Sequence, residues 1–411
     1  MSDCMMHNRT FRRTLHRTTA RSIAAAGLTV AVGLMPAIAS ASVSSASAIS
    51  ASAIRDGHDH VILAPHVLMP DGSLADDMAV HVVDGAIKQI GSMKDFADHP
   101  NATRLPDGAV LSPGLIDLAA SVGVRGANSS TTEVLDPNPS VVEAFDPHAP
   151  GVRAALEAGI TAVMIIPGPN GLVDGATATV RTAPEDDGSA DVLNAEGAMM
   201  FSMGSAALAT ANGPTSRAGA MQLLRSTMRN MDKNDGSRMS RVMGGDMPAV
   251  LVADAPEDVS AMLRLMDRQG VVPTIYAPNA AVEVAAEVAE YEGAAIVGPL
   301  GFRSGDRLLM GADALDAAGV PIAFAGGLPN NSPDQLRMTA AIAVRAGVDP
   351  DAARRGLTST AARIAGVEDT IGSIAVGHAA DFTIFSGDPL RMDSRVLEVH
   401  VRGHRVHAAS H

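Results

Sequence analysis

Leu111-Ser-Pro-Gly-Leu-Ile-Asp-Leu-Ala-Ala-Ser-Val-Gly123 is the stretch from which the fold is read. Pro113-Gly114 interrupts the preceding segment, and the short apolar run after it reads as a buried strand with Asp117 at its end. The same unit recurs downstream. A helical stretch from Gly151 to Ala158 leads to the strand Thr161–Ile166, closed by Pro167-Gly168. Ala249–Val252, Val271–Tyr276, Ala294–Val297 and Pro321–Ala325 then alternate with helical stretches over Pro256–Gln269, Ala280–Glu292 and Asp306–Ala318. Ser332 reads as a helix cap with Pro333 at the first helical position. Strands of about five residues alternating with helices imply parallel βα units, and this many of them predict an α/β fold of the TIM-type (β/α)8 barrel kind over residues 113–370. The polar stretches Pro184–Ala190 and Asn230–Gly245 read as surface loops.

Two β-rich segments bracket that middle. Between Val61 and Val110, alternating runs are punctuated by Pro70-Asp-Gly72 and by Asp84-Gly85, the latter a strong hairpin signal because both central residues of a type I′ turn need positive φ. The chain end repeats the style, with Asp381–Phe385, Val396–Val401, Arg402-Gly403 and His404–Val406. Residues 60–112 and 371–411 are therefore expected to form a small composite β-sandwich.

Composition narrows the function classes. The 411 residues are 46% hydrophobic and 18% charged, which is globular, while aromatics amount to 2% with no Trp. That leaves few rings for stacking on bases or sugars, and a formal charge of -14 repels phosphate backbones and anionic lipid heads. Nucleic acid is excluded as a partner, and small molecules or other proteins remain.

The chain opens like an export signal. Arg12, Arg13, Arg17 and Arg21 precede an apolar stretch from Ile23 to Ile38, with small residues around Ala37–Ala41. Residues 1–39 read as a signal peptide and 40–59 as a flexible Ser/Ala-rich tether. The apolar run is short for a stable membrane span, which needs about 20 residues. A periplasmic or extracellular location follows, with general secretion and twin-arginine export both open. Cys4, the sole cysteine, would leave with the signal, so the mature protein has no disulfide and no thiol nucleophile.

Three motifs carry a family resemblance. Asp84–Gly91, Ser112-Pro-Gly-Leu-Ile-Asp117 and Gly372-Ser-Ile-Ala-Val-Gly-His-Ala-Ala-Asp381 resemble the early hairpin, the first barrel strand and the return to the small domain in the amidohydrolase superfamily. Phe145-Asp-Pro, together with Leu156–Val163 and Pro167-Gly168, is similar to its imidazolonepropionase-related branch. The resemblance implies a barrel with a composite β domain and hydrolysis of C–N bonds in cyclic amides or related small molecules. It also implies zinc or another divalent metal, held by a His pair on strand 1, His on strands 5 and 6, and Asp on strand 8.

This sequence departs from that pattern at the ligands. The matching positions are Ala119, Ser121, Val252, Ala277 and Gly327, none of which replaces imidazole or carboxylate. Between Pro113 and Thr370 there is one His, His148, and one Lys, Lys233. The sequence therefore leads to an expectation of no metal and no cofactor.

Other constellations are thin. Asp117, Asp174 and Asp254 are placed near the barrel mouth, as candidate catalytic or cation-binding carboxylates or as ordinary turn and loop acids. His148 is a lone loop histidine, and Met203-Gly-Ser-Ala206 lacks the spacing of a nucleophile elbow. His400, His404 and His407 fall in a strand-like segment, as a metal trap or a polar edge. Pro167–Gly171 lacks the Lys and spacing of a phosphate loop. Two readings result: a non-catalytic, oligomeric homologue that binds a small-molecule ligand or stabilises a homologous amidohydrolase subunit, or an active hydrolase with a divergent site.

Overall fold

The computed structural model describes residues 59–409 except 127, 131, 205–207, 209–212 and 233–234. The expected signal peptide and nearly all of the tether lie outside these residues. Asp59, the last residue assigned to the tether, already belongs to a strand.

In chain order, β1 (Asp59–Leu68), β2 (Leu74–Val83), β3 (Ala86–Ser92), β4 (Ala102–Arg104) and β5 (Val110–Pro113) form the first block. The central strands are β6 (Leu115–Ala120), β7 (Ile160–Ile165), β8 (Val173–Ala176), β9 (Ala178–Arg181), β10 (Val192–Asn194), β11 (Met199–Met203), β12 (Ala249–Ala253), β13 (Pro273–Tyr276), β14 (Ala294–Val297) and β15 (Ile322–Phe324). β16 (Phe382–Phe385), β17 (Val396–Val401) and β18 (His404–Ala408) end the chain.

β16–β18 join β1–β5 in one continuous eight-stranded sheet. Asp84 and Gly85 both have positive φ between β2 and β3, as the hairpin expectation requires, and Arg402-Gly403 repeats the device between β17 and β18. Both faces of this sheet are apolar. Ile62 and Ala64 pack with Val80, Ile87, Leu111, Phe382 and Ile384, whereas their neighbours Val61 and Leu63 pack with Ala79, Met93 and Phe96. The expected sandwich is thus a single ladder with a core on each side.

The barrel is the TIM-type fold with one irregular stave. β11, β12, β13, β14 and β15 pair in parallel sequence, and β6 pairs in parallel with β7. Between these groups runs the segment 173–181, antiparallel to both: β8 pairs with β11 and β9 with β7. Its small and polar composition, Val-Asp-Gly-Ala-Thr-Ala-Thr-Val-Arg, gave no strand signal in the sequence. On the remaining side, β15 and β6 meet through Gly326 N–H on Asp117 Oδ1 at 2.7 Å and Ser121 N–H on the Leu328 carbonyl at 3.0 Å.

Helices cover the strands much as expected, with corrections at three places. Arg217–Asn230 is a helix beyond those expected, and Arg238–Gly244 is a helix inside a stretch read as loop. The helix expected from Pro333 begins at Gln335, because Ser332–Gln335 closes a turn first.

Gly114 joins the two domains. A Cβ there would sit 1.9 Å from Thr161 Oγ1, so only glycine lets β5 pass directly into β6 against β7. Beside it, buried Arg181 of β9 donates Nε–H to Asp381 Oδ2 at 2.7 Å and Nη1–H to Asp191 Oδ2 at 2.9 Å. Asp381 Oδ1 accepts the Arg402 N–H at 2.8 Å, and the Asp381 carbonyl accepts the Gly114 N–H at 2.9 Å. Removing one member strands a buried charge. Asp381→Asn is expected to lower unfolding stability by about 3–5 kcal/mol in urea denaturation. Arg391→Ala, which breaks an exposed pair with Asp393, should change it by less than about 1 kcal/mol.

Candidate functional site

The C-terminal ends of the barrel strands surround a cavity of about 340 Å³. Ala119, Ser121, Val252 and Gly327 line it, together with Met200, Tyr276, Leu328, Asn330 and Asn331. Four of the five positions singled out from the sequence therefore do converge at one mouth. The fifth does not: Ala277 is buried among Ile275, Ala281 and Leu300, and Tyr276 of the same strand reaches the cavity instead. Alternation along β13 makes the one-residue slip a change of face.

The strand end at the mouth is irregular. Ala119 has φ 56°, a left-handed conformation that costs an L-residue about 1–2 kcal/mol, and the β6–β7 register shifts there. The Ser121 hydroxyl contacts the Leu328 carbonyl at 3.5 Å, and Asn331 Nδ2–H donates to the Gly326 carbonyl at 2.9 Å. Among the described residues, no His, Asp, Glu, Lys or Cys lines the cavity. Hydroxyl, amide and phenol groups with alkyl walls hold neutral polar molecules, and they do not fit a divalent ion.

The three candidate carboxylates are not brought together at this mouth. Asp117 alternates with Ile116 and Leu118, so it takes the other face of β6, where it binds Gly326 N–H. It is fully buried, its Oδ2 has no partner, and burial pushes its pKa up to about 7 against the pull of the Gly326 N–H. Tyr276 is likewise pushed up, first by burial and then by the Asp117 charge. Asp174 Oδ1 accepts the Gly171 and Asn170 N–H groups at 2.5 and 3.1 Å, and Oδ2 accepts the Ser202 hydroxyl at 2.6 Å. It pins a loop, and burial raises its pKa. Asp254 is exposed. His148 is exposed and pairs with the Gly188 carbonyl at 2.9 Å. His400 is buried against Glu398 at 3.0 Å, and His400, His404 and His407 do not form a metal-capable group.

One metal-capable group exists among the described residues, and sequence reasoning missed it: Asp59, His81 and His99, with donor atoms all within 4.8 Å. It lies on the eight-stranded sheet. The register of the β1–β2 hairpin, turned at Pro70-Asp-Gly72, could have placed His81 beside Asp59, but nothing in the sequence positions His99.

The amidohydrolase family model matches residues 251–406. Over that stretch the chain resembles the amidohydrolase family. The chain is similar in structure to an amidohydrolase from Thermotoga maritima MSB8, with a TM-score of 0.74 at 23% identity, covering 85% of this chain and 100% of that one. Molinate hydrolase follows at TM-score 0.51 and 15% identity, covering 86% and 95% of the two chains. A zinc-bound adenosine deaminase from Xanthomonas campestris gives 0.50 and 20%, covering 84% and 92%. At such identities the likeness is one of fold. Nothing in the matches singles out the imidazolonepropionase-related branch. No curated protein matches the chain.

The expectation of no cofactor is corrected by these findings. Amidohydrolases typically bind a metal, the adenosine deaminase neighbour carries zinc, and the chain itself brings two imidazoles and a carboxylate together at Asp59, His81 and His99.

Asp117 makes a pH prediction. Between 3.8 and about 7 the folded protein keeps a proton that the unfolded chain has released, so stability falls as pH rises through that window. Asp117→Asn should remove the dependence. Urea unfolding at about pH 4 and about pH 8 is expected to show the balance moving toward the variant by up to about 4 kcal/mol. Parallel stability curves would contradict it.

Proposed function

We propose that the barrel mouth of this amidohydrolase homologue binds a small neutral molecule without performing the family's metal-assisted hydrolysis. One observation carries the reading: Ala119, Ser121, Val252 and Gly327, at positions where the resemblance implies ligands, jointly line the 340 Å³ cavity. Loss of the metal ligands removes both the ion that polarises a carbonyl and the hydroxide nucleophile it would generate. What remains recognises shape and a few polar groups. Asn330, Asn331, Ser121 and Tyr276 are suited to carbonyl and N–H groups, and Met200, Val252 and Leu328 to an aliphatic body. Amide-bearing compounds, cyclic amides or short apolar dipeptides, form the ligand class. The protein acts after export through its N-terminal segment, and a homologous amidohydrolase subunit is the proposed protein partner.

The test is ligand-dependent stabilisation of the full chain combined with a turnover assay in added Zn²⁺. A member of this class should raise stability by about 2.7 kcal/mol at a hundredfold excess over its Kd, with no product formed. Val252→Phe, which fills the cavity, should abolish the stabilisation while leaving the free protein folded. Zinc-dependent turnover abolished by Val252→Phe would overturn the reading.

A further inference from the structure

Asp59 begins β1 and His81 lies on β2. The register pairs Asp59 with Val83 and Val61 with His81, which makes Asp59 and His81 diagonal neighbours on one face of the sheet. That face is the one on which Val61, Leu63, Ala79, Met93 and Phe96 pack, so the short helical turn Met93–Phe96 is fixed against it. The turn delivers the third residue. The Phe96 carbonyl accepts the His99 N–H at 3.0 Å, and the His99 carbonyl accepts the Ala102 N–H at 3.0 Å. The His99 ring then stands 5.2 Å from the His81 ring, which itself lies 6.1 Å from Phe96.

We infer that Asp59, His81 and His99 form a binding site for a zinc-class divalent ion on the β domain, separate from the barrel mouth. Two imidazole nitrogens and one carboxylate oxygen are the donor set of zinc and its first-row neighbours, whereas calcium and magnesium select oxygen. The spacing agrees. A tetrahedral ion with bonds of about 2.0–2.2 Å holds its donors about 3.3–3.6 Å apart. Asp59 Oδ1 lies 2.7 Å from His81 Nε2 and 3.8 Å from His99 Nε2, distances that bracket this value.

Exposure is graded as a site requires. The His81 and His99 side chains are 17% and 23% exposed and held by packing, while Asp59 is 53% exposed and leaves a side open for water as a further ligand. Binding replaces hydrogen bonds by metal bonds. His81 gives up its hydrogen bond to Asp59, and ligation through His99 Nε2 puts that ring's proton on Nδ1, opening the 3.3 Å contact in which Nδ1 accepts the Asn101 N–H. The two other His–carboxylate pairs, His66–Asp76 and His400–Glu398, gather no third ligand. An ion here ties β1, β2 and the turn after β3 together, so it stabilises the fold by mass action.

The experiment titrates Zn²⁺ alone into the chelator-stripped full chain by calorimetry, with Co²⁺ visible absorption as a second readout. The wild type should take up one equivalent at this site. His81→Ala and His99→Ala should each weaken it at least about tenfold and abolish the cobalt bands, since even an outer partner of a ligand is worth about 10–100-fold. His66→Ala, at the other His–Asp pair of the same sheet, should leave binding unchanged. Unfolding midpoints measured in chelator establish that the variants fold, and His99→Gln serves if His99→Ala does not. No zinc uptake by the wild type, or uptake undiminished in both the His81 and His99 variants, would overturn the inference.

Discussion

The two-domain arrangement depends on one buried guanidinium. Arg181 sits in the antiparallel stave between β7 and β11 and is clamped by Asp381 from the last block of the chain and Asp191 from the loop after its own strand. Asp381 in turn holds the backbone of Arg402 and, through its carbonyl, that of Gly114. Barrel, sheet and the hinge between them therefore meet at a single charge network. A desolvated arginine is tolerable only with both acids in place. That explains why the Gly372–Asp381 motif ends in aspartate, and why the first barrel strand opens with a glycine that can approach β7.

This junction fixes the start of β6, and β6 fixes the mouth. Its bulge, the left-handed Ala119 and the tie from Ser121 to Leu328 set the shape of the strand end at the cavity. Asp117 takes the Gly326 N–H on the opposite face and so joins β6 to β15 where no ladder does. Its ionisation is costly there, a structural use of a carboxylate that sequence alone could read either way. The frame survives because it is a backbone and packing matter. The chemistry of the mouth is decided by the side chains set on it, and these are alkyl, hydroxyl, amide and phenol.

The parts of the fold that were legible in the sequence are those whose signal is local. Asp84-Gly85 announced its turn through φ, and the apolar runs at Ala249, Ala294 and Pro321 announced buried parallel strands. Residues 173–181 were hidden because a small, polar stave carries neither period, whereas the helix 217–230 carries an apolar face at Ala220, Met221, Leu224 and Met228 that the reading passed over. Ala277 was taken for Tyr276 because a one-residue slip in a strand reverses the face, and no turn pinned the register. Asp174 could be read as a site acid or a loop acid, and its three hydrogen bonds show it holding a loop. His99 was unreadable: it reaches the sheet through the packing of Met93 and Phe96, a tertiary event.

We propose that the ligand-binding mouth of the barrel and the metal site of this chain lie apart. An anomalous difference map at the zinc edge, from crystals of the full chain grown with Zn²⁺, tests it directly. The account predicts density among Asp59, His81 and His99 and none in the cavity bounded by Ala119, Ser121, Val252 and Tyr276. A peak inside that cavity would contradict it.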